Sequence, residues 1–396
     1  MVDALTEAGS MSEDWTGEDR AREVRSLLIL EATPGVGLRR LRALVDAFGS
    51  GTVALRAPFA SFARIAGRAA AEARLDAGTA NRVDRAIDHA GRGGVRMVVW
   101  GDRNYPRRLM HLADPPPVLF VRGDPKLLVR GGVTVIGSRR ATARGRELSV
   151  ALAGALCRRG MPVISGLALG IDGAAHRGAL AVGGRTVAVL GSGVDRPSPS
   201  SHASLARRIL AQGALVSEFL PGSPPRPHHF PRRNRVLAAL SDAVVVVEAG
   251  LRSGTLITVE HALDLGIEVF AVPGPEHRPS CAGSNRLLAE GAEPLRDPDA
   301  FAAALAARAA GPTQVLGAQG RERASGPRPT ARDRVSAASA SSVAPVLAAL
   351  DHEAVTVEQL IERTGLPVAP VVSVLCELEL LGRVEQGPGQ RYRRAS

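Results

Sequence analysis

The chain has 396 residues, 45% of them apolar, with 50 basic against 39 acidic side chains and a formal net charge of +11. Its length admits two or three domains, and the apolar fraction is ample for a sizeable core. Three scattered cysteines (Cys157, Cys281, Cys376) exclude a disulfide framework and a cysteine metal site. An acidic N-terminus excludes a signal peptide, and no apolar run of about 18 residues exists to form a membrane span. These features predict an intracellular protein of the reducing cytoplasm, with no membrane attachment. The positive charge points to a polyanionic partner. Lys126 is the one lysine, however, and an arginine- and alanine-rich composition inherited from a GC-rich genome is the weaker alternative explanation of the charge.

In chain order, residues 1–20 read as a disordered acidic tail (Glu7, Glu13, Asp14, Glu18, Asp19). Residues 21–94 read as a helical domain. The apolar spacing Val24, Leu27, Leu28, Leu30 stops at Pro34-Gly-Val-Gly37, and Leu38, Leu41, Leu44, Val45, Phe48 resume it up to Gly49. Helix, P-G-V-G turn, helix is the pattern of a helix-hairpin-helix (SAM-like) domain. Its glycines either bring amides close to a phosphate or simply close a small bundle.

Residues 95–310 read as an α/β core with a parallel, Rossmann-like sheet. After strands at Val95–Trp100 and Val118–Val121, short β-branched runs recur at Val133–Ile136, Val163–Ser165, Thr186–Leu190, Ala214–Ser217, Ala243–Val247 and Val269–Val272, with helical patterns between most of them. In such a sheet the loops after the strands share one edge, where ligands bind. Here those loops are rich in glycine, hydroxyls and arginine. Residues 311–342, rich in Gly, Ser, Ala, Pro and Arg, read as a flexible linker. Residues 343–396 read as a winged helix: a helix at Val343–Leu350, a second capped by Thr356 with Gln359 completing a capping box, a third at Val368–Leu381, and a β-wing at Arg383–Tyr392. The third helix carries Glu377 and Glu379, which suits docking to protein or a structural role better than reading a duplex.

The loop Gly137-Ser-Arg-Arg-Ala-Thr142 lacks dinucleotide-fingerprint spacing but offers amides and guanidiniums to a phosphate. Gly166 to Asp172 forms a second such turn; Asp172 and His176, one helical turn apart, suit a helix cap and a half-buried histidine better than the alternative of metal or acid–base work. Arg232, Arg233 and Arg235 cluster at the start of a helix, where positive charge opposes the helix dipole, so a binding use is expected of them. Phe230 beside them offers a face to a nucleobase. Ser253-Gly-Thr255 opens another helix with hydroxyl and amide donors. His228 and His229 have no further ligands at metal spacing. No phosphate-binding loop of the G-x-x-x-x-G-K-[ST] type and no G-x-S-x-G elbow occurs.

These loops together (G-S-R-R-A-T, S-G-L-A-L-G-I-D-G-A-A-H, V-L-G-S-G-V-D, F-P-R-R-N-R, E-A-G-L-R-S-G-T-L-I-T and F-A-V-P-G-P) resemble those of the DNA-processing protein A (DprA/Smf) family, over essentially Gly101 to Asp297. The resemblance implies a non-enzymatic protein without cofactor or metal. It would bind single-stranded DNA in a pocket of an extended Rossmann domain, dimerise through that domain, and load a RecA-type recombinase during natural transformation. By matching position, the resemblance assigns DNA binding to Gly137, Ser138, Arg139, Gly166, Arg233, Asn234, Arg235 and Ser253. Phe230 and Arg232 join them from the residue chemistry above. The third loop departs from the family, with Arg196-Pro-Ser-Pro199 after Asp195. The alternative class is a nucleotide-processing enzyme of the lysine-decarboxylase-like phosphoribohydrolase group, whose motif P-G-G-x-G-T-x-x-E ends in a carboxylate where this chain has Thr258.

Overall fold

The structure, a computed structural model, describes residues 17–310 and, further on, residues 345–346, 348–350, 355–365, 371, 374–375, 378, 384–387 and 391–394. The expected tail up to residue 16 and the expected linker 311–342 lie outside the described residues. The chain divides into two compact units, with the boundary between Thr313 and Gln314.

The first unit opens with helices α1 (Gly17–Ala32), α2 (Leu38–Phe48), α3 (Gly51–Arg56), α4 (Phe59–Ala66), α5 (Arg68–Ala73) and α6 (Ala77–Arg92). Helix α1 begins inside the stretch expected to be tail. Arg20 is held there by Asp102, at 2.6 Å. The P-G-V-G turn forms as expected, with Gly35 at φ +86° and Val36 buried beneath it. Helices and core, read from sequence as two domains, fall within one unit. Leu27, Leu30, Leu41, Leu44, Phe62 and Val83 pack in the same apolar cluster as Val99, Val118 and Phe120 of the first two strands.

The core then runs β1 (Arg96–Val99), β2 (Val118–Gly123), α7 (Lys126–Arg130), β3 (Gly132–Ile136), α8 (Ala143–Arg158), β4 (Val163–Ser165), α9 (Ile171–Ala181), β5 (Thr186–Val189), α10 (Ala203–Gln212), β6 (Ala214–Ser217), α11 (His229–Ala239), β7 (Ser241–Val246), α12 (Thr255–Asp264), β8 (Val269–Ala271), α13 (Ala282–Ala289), β9 (Glu293–Pro294) and α14 (Pro298–Ala310). One sheet takes all the strands, in the order β1-β2-β6-β5-β4-β3-β7-β8-β9. β1 and β2 pair antiparallel, as do β2 and β6, and every other pair is parallel. The central strands are apolar at consecutive positions because helices cover both faces. Val133, Val135, Ala243 and Val245 face one apolar cluster, while Ile136, Val244 and Val246 face the other. β9 has no sequence signal; two residues are too few to show a period.

From β3 the chain proceeds outward through β4, β5 and β6, then returns to place β7 on the other side of β3. The loops after β3 and β7 therefore part in opposite directions and leave a crevice at the carboxyl ends of the strands.

The second unit contains β10 (Val355–Thr356), α15 (Val357–Thr364), β11 (Val384–Gly387) and β12 (Arg391–Arg394), with β12 between β10 and β11. Thr356 and Gln359 form the expected capping box. Val346, Leu360, Val371, Val374, Leu375, Leu378 and Val384 share one core, and the 371, 374, 375, 378 spacing is that of a helix face. This is a winged helix. Glu377 and Glu379, on which the docking reading rested, lie outside the described residues.

Candidate nucleic-acid interface

The crevice at the strand-order reversal is an open cleft of about 980 Å³. Its walls come from the loops after β3 (Gly137–Arg140), β4 (Ala168, Asp172) and β7 (Gly250–Thr258), and from one face of α11 (Phe230, Arg233, Asn234, Leu237).

The β3 loop is anchored from behind. Ser138 N donates to the Glu248 carbonyl at 2.7 Å, and the Glu248 carboxylate accepts from Thr142 N at 3.0 Å and from the Thr142 hydroxyl. Thr142 in turn caps α8 by accepting from Gly145 N. Gly137 has to be glycine, since a Cβ there would lie 2.7 Å from both the Glu248 carbonyl and the Ile171 side chain. With its backbone held in this way, the loop exposes the Arg139 and Arg140 side chains. The Arg139 guanidinium lies 5.2 Å from the centre of the Phe230 ring. Phe230 itself is seated against Gly191, where a Cβ would meet the ring at 2.9 Å.

Across the cleft, Ser253 Oγ accepts from Thr255 N at 3.3 Å at the start of α12, and Arg252 stands exposed beside it. Asn234 Nδ2 donates to the Gly254 carbonyl at 3.2 Å and so ties α11 to this loop. The rim thus carries the exposed guanidiniums of Arg139, Arg140 and Arg252 together with the first turn of α12, all favourable to phosphate oxygens.

The floor is different. Arg233 is only 5% exposed, and its Nη1 donates to the carbonyls of Gly166 (2.9 Å) and Val189. Burial pulls its pKa down to about 10, with the nearby Asp172 charge opposing. Asp172 is 6% exposed and accepts through Oδ2 from Gly166 N at 3.1 Å and Ala168 N at 3.4 Å. Burial raises its pKa against the pull of Arg233 and Arg139.

Comparison with known proteins decides the lineage. The family model for DNA recombination-mediator protein A matches residues 96–306, and the DprA winged helix domain matches residues 326–390. The chain belongs to the DprA family. Protein Smf of Escherichia coli is 39% identical over 298 residues, covering 74% of this chain and 76% of that protein. A putative DNA processing protein DprA of Mycobacterium tuberculosis is 36% identical over 329 residues, covering 79% of this chain and 81% of the relative. Among solved structures, DprA of Streptococcus pneumoniae superposes with a TM-score of 0.61 at 30% identity, covering 73% of this chain and 98% of that one. The mixed α/β sheet, helical N-terminal part and winged helix are those of the family, and the protein has a DNA-processing role.

Within this DprA-family chain, the cleft gathers most of the residues expected to bind DNA: Gly137, Ser138, Arg139, Phe230, Arg233, Asn234 and Ser253. Gly166 lies directly behind the floor. Arg232 and Arg235 are corrections. At 100° per residue, Phe230, Arg233, Asn234 and Leu237 share the cleft face of α11, and residues 232 and 235 turn away from it. There Arg232 pairs with Glu31 (2.9 Å) and Glu218 (3.0 Å), and Arg235 pairs with Glu218 and, at 3.5 Å, with Asp114. These carboxylates answer the dipole conflict that had been read as a sign of binding.

Asp172 is also reassigned. It does not cap α9, whose N-cap is Gly170 with no side-chain bond, but reaches back to close the Gly166 turn. His176 is wholly buried, with Nδ1 2.7 Å from Thr186 Oγ1, and burial drives its pKa down to about 3. No residue of the third loop lines the cleft: Asp195 instead accepts from Gly222 N at 2.8 Å and meets His89 Nε2 at 3.0 Å. Arg140 was expected only as one of the two guanidiniums of the β3 loop, and Arg252 was not singled out, although it stands within a quoted loop motif. Among the described residues no His, Cys, Asp and Glu side chains cluster to hold a metal, and no helix is long and apolar enough to cross a membrane.

Proposed function

We propose that the cleft binds single-stranded DNA and that the protein hands this strand to a RecA-type recombinase during natural transformation, acting as a homodimer through the α/β core. The observation that carries the DNA part is the rim: three exposed guanidiniums (Arg139, Arg140, Arg252) and an aromatic face (Phe230) around a cleft at the strand-order reversal. Guanidiniums take phosphate oxygens bidentately, and an aromatic ring stacks on a base only when that base is unpaired, so the combination selects a flexible single strand over a stiff duplex. The recombinase and the dimer rest on family membership.

We further propose that the protein binds without turnover. Thr258 lines the cleft where the phosphoribohydrolase motif would place a carboxylate, and the nearby Glu248 carboxylate is engaged by Thr142. The test is fluorescence anisotropy with a labelled oligonucleotide, single-stranded and duplexed, over a salt series. Three or four neutralised phosphates give a log–log salt slope of about −2 to −3 for a single strand. Duplex binding tighter than single-strand binding, or an affinity indifferent to salt, would overturn the proposal.

A further inference from the structure

The rim accounts for phosphates, but it leaves a buried carboxylate on the floor of a cationic cleft unexplained. Asp172 uses only Oδ2 toward the protein; Oδ1 has no hydrogen-bond partner and is not among the fully enclosed polar atoms. Beside it Arg233 directs Nη1 to two carbonyls and Nε to Asn234 Oδ1 at 3.3 Å, and its Nη2 is likewise without a recorded acceptor and not enclosed. Both side chains crowd Gly166, where a Cβ would fall 2.7 Å from Asp172 Oδ2 and 2.7 Å from Arg233 Nη2. Glycine at 166 is therefore what lets an acceptor and a donor stand side by side under the rim. A carboxylate there repels phosphate, so the group that completes this floor must bring N–H donors next to an oxygen acceptor.

Building on the single-strand reading above, we propose that Asp172 and Arg233 form a base-selecting floor that prefers guanine. The guanine edge presents N1–H and N2–H together, both of which a carboxylate can accept, with O6 adjacent for the Arg233 guanidinium. Thymine and cytosine present a donor from only one ring position to the carboxylate, and adenine has no carbonyl oxygen for the arginine. Phosphates on the rim and a base turned to the floor suit a single strand, whose bases are free to rotate inward. Phe230, on the wall between the two levels, offers that base a stacking face.

The experiment uses the full chain and short labelled oligothymidylates in which one central dT is replaced by dG, dA or dC. The dG oligonucleotide is expected to bind about tenfold tighter than the all-dT one, the scale of one good bidentate base contact. In Asp172→Asn the amide nitrogen puts a donor where an acceptor stood, and dG and dT affinities are expected to fall within about twofold of each other. Loss of the preference in this variant identifies a contact, because a merely structural change would weaken all four oligonucleotides alike. Equal wild-type affinity for all four, or a dG preference that survives Asp172→Asn, overturns the floor while leaving the rim reading standing. Failure to bind any of the four overturns both. The wild-type series decides the matter even if the variant does not fold.

Discussion

Arg233 and Arg139 line the same cleft and look interchangeable in sequence, yet their alanine variants should fail in opposite ways. Arg233→Ala removes a guanidinium that is 5% exposed and donates to the carbonyls of Gly166 and Val189. It leaves those acceptors without this donor, and it takes from the buried Asp172 the cation that most favours its ionised form. A buried polar group deprived of its partner costs about 1–3 kcal/mol. A loss of about 1–3 kcal/mol in unfolding free energy is therefore expected. Arg139 is exposed, and its contact with the Phe230 ring contributes at most about 1 kcal/mol to stability. Its removal should instead weaken binding of a single strand by about 1–3 kcal/mol, as loss of a charged hydrogen bond does. Urea unfolding followed by circular dichroism, with anisotropy on the same preparations, separates the two effects. An Arg233→Ala protein as stable as wild type would refute the reasoning, because the arginine would then be a free phosphate contact rather than a pillar of the floor.

The two faces of α11 allow a second contrast. Arg232→Ala should lower stability by about 1–3 kcal/mol, because it strands Glu31 and leaves Glu218 with Arg235 alone, with single-strand affinity kept, whereas Arg252→Ala should weaken binding and leave the unfolding curve in place; the same two assays decide, and the reverse pattern would return Arg232 to the interface. His176 makes stability depend on pH. Its folded pKa, about 3, lies below the ordinary value of 6.5, so the unfolded chain binds the extra proton and the stabilisation present above pH 6.5 is lost as pH falls toward 3. Between pH 6.5 and 5 the loss should be about 2 kcal/mol, and His176→Gln should flatten that part of a urea-unfolding pH profile.

Strand positions were legible because each is a local matter: four or five β-branched residues in succession, such as Val133–Ile136 or Ala243–Val247, have one stable use in a chain punctuated by helices, namely a strand covered on both faces. The capping box at Thr356 was legible for the same reason, since both partners lie within one turn. The cleft was legible as a set of loops, because all loops after parallel strands share an edge whatever their order. The direction of individual side chains was not. Which arginines of Phe230-Pro-Arg-Arg-Asn-Arg235 meet the cleft depends on the phase of α11 against the sheet, and that phase is set by where Leu237 and Val236 pack. Glu31 and Glu218 lie 201 and 14 residues from Arg232, and no local pattern reveals that they neutralise it. Asp172 looked like a helix cap, because a cap and a loop-closing carboxylate occupy the same place in sequence and differ only in the dihedral angles of Gly170, at φ +76°. Sequence alone thus determined the elements and the edge on which they converge, through interactions within a few residues. Tertiary packing decided which charges are spent on neighbours inside the fold and which are left for a ligand, because burial and pairing join residues that the chain keeps far apart.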